Sequence, residues 1–444
     1  MTFNGPIGGL IDFAIGGGWG SEVPKENHSR VAVIRGTDIP KVASGDFSTV
    51  PFRYESDKKL ANRVLAPGDV VLETAGGSSA NGQYTGRTLL ITQEILDELG
   101  PAICASFCKK LVLNKDLVSP LYFYLYMQDL YKSGRVASYD SQSTGISNFQ
   151  YEAFVNNEQL ELPKLEIQIS VANALSNLQS KINKNSQISK TLVDIAQAIF
   201  KSWFIDFDPV KAKMAGEKPA GMDAAIAALF PDSMLESELG LIPKGWEIAP
   251  VGSTLDVGGG TTPSTTNSSY WDGEHCWTTP KDLSSQIGIV TINSKRRITD
   301  LGLRQISSGL LPVNSVLMSC RAPIGYVSIN AVPTAVNQGF ITMKHSTDFH
   351  CLYVLNWINA NIKEIHNRAG GATFAEITRK AFRDIPFLKP ATTILKRYAE
   401  LTDPLLRELE QLTRQTENLE VLRNLLLPRL MSGELQIPDE MLAS

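Results

Sequence analysis

The sequence predicts an α+β protein in which two globular, mixed α/β domains alternate with two long helices. Three observations support this fold class. The segment Leu175–Phe204 can be laid on Thr402–Met431 with a constant offset of 227 and no gap. Both segments place their seam residues at alternating steps of four and three, which is the heptad spacing of a helix that pairs with a helix. The segment before each helix is rich in strand and turn residues, so the chain is a repeat of globule and helix.

Changes in composition along the chain predict the domain boundaries. The connector is punctuated by prolines and contains one short predicted helix, Met222–Phe230. Within the globules, VLETA, GRTLLI, SVLMS and GYVSI are typical of short strands, whereas LYFYLYMQDLYKSG and CLYVLNWINANIKEI are typical of helices. The predicted segments are a first globular domain (1–157), a first spacer helix (158–206), a connector (207–243), a second globular domain (244–390), a second spacer helix (391–435) and a tail (436–444).

Three fragments of the two globules match each other. Residues 14–18 (AIGGG) resemble 256–260 (DVGGG), and residues 65–72 (LAPGDVVL) resemble 310–317 (LLPVNSVL). Nearer the helices, residues 145–154 (GISNFQYEAF) fall on 373–382 (TFAEITRKAF). The offset changes from 242 to 245 and then to 228, which predicts extra residues in the first globule between Leu72 and Ile146.

The predicted helix seam is apolar at most positions and polar in its middle. Asn185, Ser189 and Thr416 are polar seam positions, which indicates that they fix the register of the helices. Further apolar residues lie off the seam and are expected to stay exposed for a partner: Ile188, Ile195, Phe200, Phe204, Leu422, Leu425 and Leu427. A plain helical hairpin that only joins two domains is the alternative. The predicted seam and docking residues are Leu178, Ile182, Leu192, Ile199, Trp203, Leu405, Leu409, Leu412, Leu419, Leu426 and Leu430.

Composition excludes several classes of protein. No stretch approaches 18 apolar residues, and no basic segment followed by an apolar run opens the chain, so we expect a cytoplasmic protein. Five cysteines favour reduced thiols over a disulfide framework. The net charge is −4, but residues 240–390 hold 14 basic and 10 acidic side chains. A basic second globule leaves DNA binding open.

Catalytic and cofactor motifs are not recognisable. The runs GGGWG (16–20) and VGGG (257–260) lack the spacing and the downstream acid of a nucleotide-binding fold, and no P-loop sequence occurs. DFDPV (206–210) has one proline where a methyltransferase loop needs two. Cys104 and Cys108 lie in a helix-like apolar stretch, without the spacing of a zinc site. The sequence therefore predicts no catalytic residue, no bound cofactor and no metal.

Residues at the two helices resemble a known family. AIFKSWFIDFDPVKAK (198–213), LFPDSMLESELGLIPKGWE (229–247) and LLLPRLMSGEL (425–435) are similar to the specificity (S) subunits of type I restriction-modification enzymes. The resemblance implies two target recognition domains, each reading one half of a split, asymmetric DNA site, and two helices that pack as an antiparallel coiled coil. It also implies two methyltransferase (M) subunits and restriction (R) subunits as partners. S-adenosylmethionine, ATP and magnesium would then belong to those partners, and this chain would be non-catalytic.

Arginine and lysine are the residues expected to contact double-stranded DNA, since Arg pairs with guanine and either side chain binds phosphate. The polar loops 76–86 and 258–273 are expected to follow a groove. The rival functions are an enzyme that methylates or cuts DNA by itself and a scaffold that never contacts DNA. The candidate DNA-binding residues are Arg35, Lys41, Lys58, Lys59, Arg63, Arg87 and Arg135 in the first globule and Lys281, Arg296, Arg297, Arg304, Arg321, Arg379 and Lys380 in the second.

Overall fold

A computed structural model describes residues 2–76, 84–143, 146–321, 323–371, 375–431 and 434–435. The chain divides into two compact units. The first unit comprises Met1–Ser180 and Val421–Ser444, and the second unit comprises Lys181–Glu420. The predicted tail, 436–444, and most of the loop 76–86 lie outside the described residues.

The first unit contains eleven strands and five short helices in its described part. The strands are β1 (Phe3–Pro6), β2 (Ile11–Gly16), β3 (His28–Ile34), β4 (Phe52–Ser56), β5 (Val70–Glu73), β6 (Thr88–Leu90), β7 (Ala102–Cys104), β8 (Cys108–Leu113), β9 (Asp140–Ser143), β10 (Ile146–Phe149) and β11 (Gln159–Leu162). The helices are α1 (Ile39–Ala43), α2 (Asp57–Arg63), α3 (Gln93–Leu99), α4 (Pro120–Lys132) and α5 (Tyr151–Asn157).

The strands of the first unit form an antiparallel four-stranded sheet, β2-β8-β5-β6, and a three-stranded sheet, β4-β3-β7, in which β3 and β7 are parallel. The pairs β1-β11 and β9-β10 complete the strand pairing. Cys104 and Cys108 lie on β7 and β8, so the helix-like interpretation of this stretch was wrong. β-Branched and aliphatic neighbours fill both faces of these strands, which favours buried strands over a helix.

Two 40-residue helices cross from one unit to the other: α6 (Leu165–Phe204) and α15 (Thr392–Met431). The remaining helices are α7 (Asp208–Met214), α8 (Ala224–Leu229), α9 (Val251–Thr254), α10 (Pro280–Ser284), α11 (Asp300–Leu303), α12 (Cys351–Ala360), α13 (Ile362–Asn367) and α14 (Arg379–Arg383). The strands of the second unit are β12 (Met234–Ser237), β13 (Gly240–Pro243), β14 (Glu247–Pro250), β15 (Val257–Gly259), β16 (Trp271–Thr278), β17 (Val290–Thr291), β18 (Arg296–Ile298), β19 (Val316–Ser319), β20 (Val327–Asn330), β21 (Thr334–Val336), β22 (Phe340–Met343) and β23 (Pro386–Lys389).

The second unit repeats the strand order of the first. Its large sheet, β15-β22-β19-β20-β17, adds one strand at the edge, and β18-β16-β21 again contains one parallel pair. The pair β14-β23 corresponds to β1-β11. The mixed α+β fold, with two globular domains and two long helices, agrees with the sequence prediction.

Equivalent backbone hydrogen bonds correct two of the sequence offsets. In the first unit Gly18 N donates to Cys104 O, and at the equivalent place in the second unit Thr261 N donates to Val336 O. Gly18 and Thr261 are therefore counterparts, so the offset at the glycine loop is 243 and not 242. Likewise, Leu65 N donates to Ala102 O in the first unit, and Leu311 N donates to Thr334 O in the second. Leu65 and Leu311 are therefore counterparts, and the second offset is 246 and not 245. A one-residue error arises easily because glycine runs and leucine pairs match in either register.

The third offset and the extra residues are confirmed. The isolated bridge Ala75–Asn148 of the first unit has its counterpart in the bridge Arg321–Glu376 of the second. The offset is 246 from Ala75 to Arg321 and 228 from Asn148 to Glu376. The added residues of the first globule therefore lie between Ala75 and Asn148. Part of them lies between β5 and β6, since the glycines that close this loop, at φ +98° and +102°, are Gly86 in the first unit and Gly325 in the second.

The two long helices pack antiparallel within the second unit. Asn185 Nδ2 donates to Gln415 Oε1 at 2.9 Å, whereas further along α6 the ring of Trp203 contacts Tyr398 at 6.1 Å between centroids. The contacts of later residues in α6 are with earlier residues in α15, so the two helices run in opposite directions. In the first unit, Arg423 Nη1 donates to Gln179 Oε1 at 2.6 Å.

Every predicted seam residue is buried or half-buried. Ile188, Ile195, Leu422 and Leu425 are exposed, as expected. The expectation that Phe200, Phe204 and Leu427 are exposed was wrong, because each lies in the core of its own unit. Sequence spacing alone does not reveal that globular segments pack on the outer faces of the helices.

The connector contributes to the core of the second unit. Val210, Phe230 and Ile242 are buried with residues of α6, α12 and α15. Trp203 contacts Phe230 edge-on at 5.2 Å, a geometry that stabilises aromatic pairs beyond their buried area. The connector is therefore a packed part of this unit and not a loose linker.

Candidate nucleic-acid interface

Three of the candidate arginines in the first unit neutralise buried carboxylates. Arg35 Nε lies 2.8 Å from Asp38 Oδ2, Arg87 Nη2 lies 2.5 Å from Glu73 Oε1, and Arg135 Nη2 lies 2.6 Å from Glu158 Oε1. A buried carboxylate that loses its cation is strongly destabilising. These arginines thus have a structural task besides any contact with DNA.

Asp38 keeps its charge because of its partners. Burial favours the neutral form of Asp38, but hydrogen bonds from Arg35 and Thr49 outweigh it and lower the pKa of this carboxyl. Tyr126 and Tyr139 also donate to Glu158, at 2.8 Å each. Burial and this hydrogen bond raise the pKa of Tyr139 to about 12, so the phenol stays a donor at neutral pH.

The other basic candidates of the first unit lie at the surface. Lys41 is exposed on α1, and Lys58 is exposed on α2. Lys59 Nζ lies 3.4 Å from Glu55 Oε1. Arg63 ends α2 and is half-buried, and it lines the same pocket as Lys59.

In the second unit, aromatic rings hold one of the candidates. The guanidinium of Arg296 stacks over Trp271, with 3.5 Å from Cζ to the ring centroid. Trp271 in turn contacts Trp277 edge-on at 4.9 Å. The neighbouring Arg297 donates to Glu274 O at 2.8 Å and to Asn293 Oδ1 at 3.1 Å. β18 therefore presents two arginines whose positions are fixed by contacts with β16 and with the loop before β18.

The remaining candidates of the second unit are spread over several elements. Arg321 Nη1 lies 3.6 Å from Glu376 Oε2, beside the isolated bridge that joins these residues. Lys281 is exposed on α10, Arg304 follows α11, and Arg379 and Lys380 begin α14. The fold does not gather all of these side chains into one cluster.

The turn between β7 and β8 has no recognisable motif in the sequence, yet it carries an exposed aromatic residue. Phe107 has 63% of its surface exposed there, and its carbonyl accepts from Thr74 N and Ala75 N. Gly339 O accepts from Cys320 N in the same way, so Gly339 is the counterpart of Phe107 in the second unit. An exposed aromatic side chain at one of two equivalent turns is a clear chemical difference between the units.

The polar loop 258–273 is held by internal hydrogen bonds. Thr262 Oγ1 donates to Gln338 Oε1 at 2.6 Å, and Trp271 Nε1 donates to Ser264 O at 3.0 Å. Asn267 caps the short turn that follows, by accepting from Ser269 N. The loop presents hydroxyl and amide groups from a defined backbone.

Other chemistry is sparse in the described ranges. All five cysteines are free and buried, and burial raises the pKa of Cys104 to about 12, which leaves it an unreactive thiol. Among the described residues, no group of three or more His, Cys, Asp and Glu side chains is arranged to hold a metal ion. Each helix in the described part of the chain is too short or too polar to span a bilayer.

Comparison with known proteins identifies the class. A family model described as "Type I restriction modification DNA specificity domain" matches residues 243–421, which include β14–β23 and most of α15. The fold and this match define a DNA-specificity protein. Residues 243–421 therefore carry a type I restriction-modification DNA specificity domain, and the chain is similar to the specificity (S) subunits of these systems, which are non-catalytic.

Two relatives and one solved structure give the extent of the similarity. The type I restriction enzyme HindI specificity subunit of Haemophilus influenzae is 25% identical over 368 residues, which cover 72% of this chain and 79% of that protein. The MjaIX specificity subunit of Methanocaldococcus jannaschii is 34% identical over 158 residues, covering 35% of this chain and 37% of that protein. The crystal structure of an S subunit from M. genitalium shares the fold, with a TM-score of 0.58, 13% identity and coverage of 97% of this chain and 96% of that one.

Proposed function

We propose that the globular parts of the two units are target recognition domains, 1–157 and 244–390, and that each reads one half of a bipartite, asymmetric DNA site. The observation that carries this proposal is the repeat of one backbone frame with unlike residues at equivalent positions, such as the exposed Phe107 and its counterpart Gly339 at the same turn. A shared frame presents a surface of similar shape to DNA, and different side chains on it select different bases.

Exposed basic residues supply the contacts to phosphate in this proposal. Lys41, Lys58, Lys281 and Lys380 are exposed, and none of them pairs with a buried carboxylate of the described residues. Arg296 and Arg297 are better suited to base edges, because stacking and hydrogen bonds fix them in advance. Phe107 adds an apolar group of the kind that contacts a thymine methyl or wedges between base steps.

We infer that the paired helices set the distance between the half-sites. A 40-residue helix is roughly 60 Å long at 1.5 Å per residue, which exceeds one turn of B-DNA. Inserting or deleting about one helical turn in both helices should change the number of unread base pairs between the half-sites. Methylation mapping that returns the original spacing from such a variant would contradict this role.

Exposed apolar residues on the helices are the proposed docking positions for the M subunits, which bring S-adenosylmethionine. R subunits, with ATP and magnesium, join the M and S subunits in the full complex, and the expected location is the cytoplasm. Ile188 and Ile195 are 46% and 41% exposed in the second unit. A variant with Ile188→Asp and Ile195→Asp should lose copurification with M, whereas the control Lys184→Asp, on another exposed position of α6, should retain it.

The experiment that tests the function as a whole maps methylated adenines across the genome of cells that express the M subunit with or without this chain. The proposal predicts a bipartite motif that disappears when the S chain is deleted. Methylation that is unchanged by the deletion would reject the proposal. Methylation or cleavage by the purified chain alone would favour an independent enzyme.

A further inference from the structure

The glycine-rich loop after β2 closes over a polar pocket of about 350 Å³ in the first unit. The loop residues 17–21 form one wall, and Lys25, Glu55, Lys59 and Arg63 contribute charged side chains. This glycine run lacks the spacing of a nucleotide-binding fold. The pocket does not need that fold, since its cations come from α2 and the segment before β3, and its carboxylate comes from β4.

The pocket carries a net positive charge. It contains three cations, Lys25, Lys59 and Arg63, and one carboxylate, Glu55. Glu55 is buried, and its Oε1 accepts from Ser56 N at 3.0 Å and lies 3.4 Å from Lys59 Nζ. Within the described ranges, no carboxylate lies within 4.0 Å of Lys25 or Arg63. Two cations are therefore left to attract an anion.

The backbone of the loop is fixed by its glycines. Gly17 N and Gly18 N donate to Cys108 O and Cys104 O at 2.9 Å each. A Cβ on Gly17 would lie 2.2 Å from two carbonyl oxygens, so no other residue allows this approach. In the described part of the chain, no hydrogen bond uses the amides of Trp19 and Gly20, and Gly20 has φ +66°. Such turns, with unused amides beside cations, bind anions in other proteins.

Gly18 leaves room for the charged side chains of the pocket. A Cβ at this position would lie 2.6 Å from Glu55 Oε2 and 3.1 Å from Arg63 Nη1. The carboxylate and the guanidinium therefore approach the loop from the same side. This arrangement places the half-buried Arg63 at the wall of the pocket.

We propose that this pocket binds one phosphate of the DNA backbone, with Arg63 and Lys25 as the charged contacts and Glu55 as the group that positions Lys59. The proposal rests on the proposed function, in which this domain contacts DNA. Guanidinium and ammonium groups bind phosphate through charge-assisted hydrogen bonds, and such contacts position a protein without reading sequence.

The second unit has different residues at the positions that correspond to two of the pocket residues. Two residues before Leu311, which corresponds to Leu65, the chain has Gly309 in the place of Arg63. Gln338 corresponds to the pocket residue Ser106, and it accepts a hydrogen bond from Thr262 of the adjacent loop. The second unit therefore lacks the arginine that makes the proposed phosphate contact in the first domain.

The test measures DNA affinity of the purified complex of M with the full S chain as a function of salt. Arg63→Ala and Lys25→Ala should each weaken binding roughly 5- to 10-fold and reduce the slope of log K against log salt by about 1. The loss should be equal on the mapped target and on a duplex of arbitrary sequence, because a phosphate contact is independent of sequence. Arg63→Lys should retain most of the slope.

Lys164→Ala is the matched control, since Lys164 is exposed in the first unit and lies outside the pocket. A second readout uses duplexes in which single phosphates are replaced by neutral methylphosphonates. Methylphosphonate at one position of the duplex should weaken binding by the unaltered complex. The same replacement should not weaken binding by the Arg63→Ala complex any further. Equal salt slopes for Arg63→Ala, Lys25→Ala and Lys164→Ala would overturn the proposal.

Failure of the proposed function would look different. In that case the complex would show no preference for a bipartite motif, whereas the salt slopes on arbitrary duplex would still report on the pocket. An unchanged motif preference with unchanged slopes removes the pocket and leaves the recognition function intact.

Discussion

The two units build the same sheets with different chemistry at equivalent positions. Glu158 of the first unit, which accepts from two tyrosines and pairs with Arg135, corresponds to Ile385 of the second, which is buried among apolar residues. The cap of α4 is Ser119, whereas the cap of α12 is His350. The two units therefore keep the same strand register through backbone hydrogen bonds. A charged residue can replace an apolar one at an equivalent position where neighbouring side chains of the same unit supply its hydrogen-bond and ion-pair partners.

The largest expected effect comes from breaking the Glu158 network. Glu158→Ala leaves Arg135 and two tyrosine hydroxyls without their acceptor, and it should destabilise the first unit by about 2 to 3 kcal/mol. Peptide-resolved hydrogen exchange should show the loss in the first unit and not in the second. The control Glu161→Ala, an exposed residue on the same strand, should leave exchange nearly unchanged. Equal exchange for both variants would contradict the structural role of the network.

A smaller effect with the opposite sign is expected at the polar seam position. Asn185 is buried, and its Oδ1 accepts no hydrogen bond in the described part of the chain, whereas the residue at the same place in α15 is Leu412. Asn185→Leu should stabilise the second unit by about 1 kcal/mol, because an unsatisfied polar group leaves the seam. Thermal unfolding of this variant and of the exposed control Gln187→Leu measures the difference. Destabilisation by Asn185→Leu would show that the amide bonds to Gln415 and Thr416 outweigh the unpaired oxygen.

The cap difference predicts a pH effect confined to the second unit. Burial lowers the pKa of His350, and this outweighs the opposing effect of Asp403. The folded state then binds a proton less readily than the unfolded state, so stability is lost as pH falls below about 6.5. Hydrogen exchange at pH 7 and pH 5.5 should show faster opening of α12 at the lower pH, and His350→Asn should reduce this difference. An equal pH response in both proteins would contradict the assignment to His350.

The smallest effect is expected on the exposed face of α6. Lys190 Nζ lies 3.4 Å from Asp194 Oδ2, and both side chains are largely exposed. Lys190→Ala should change the free energy of unfolding by less than about 0.5 kcal/mol, since solvent screens such pairs. A shift in unfolding midpoint as large as that of Asn185→Leu would mean that this face has a partner in the purified protein.

Sequence periodicity was sufficient to predict the two long helices, because heptad spacing depends only on residues within each helix. It was also sufficient for the common frame, although glycine and leucine runs left the register uncertain by one residue at Gly18 and Leu65. The burial of Phe200, Phe204 and Leu427 was not predictable, because it depends on segments far away in the chain. The pocket at Arg63 was missed for the same reason: its cations come from separate elements.

The most direct test of two unlike reading heads is to give one chain two copies of the same head. Residues 247–389 can be replaced by residues 3–162, since β1-β11 and β14-β23 begin and end at equivalent positions. The chimaera is expressed with M, and methylated adenines are mapped across the genome. Our account predicts a motif whose two halves carry the same base sequence. A motif that keeps the original second half-site would contradict it.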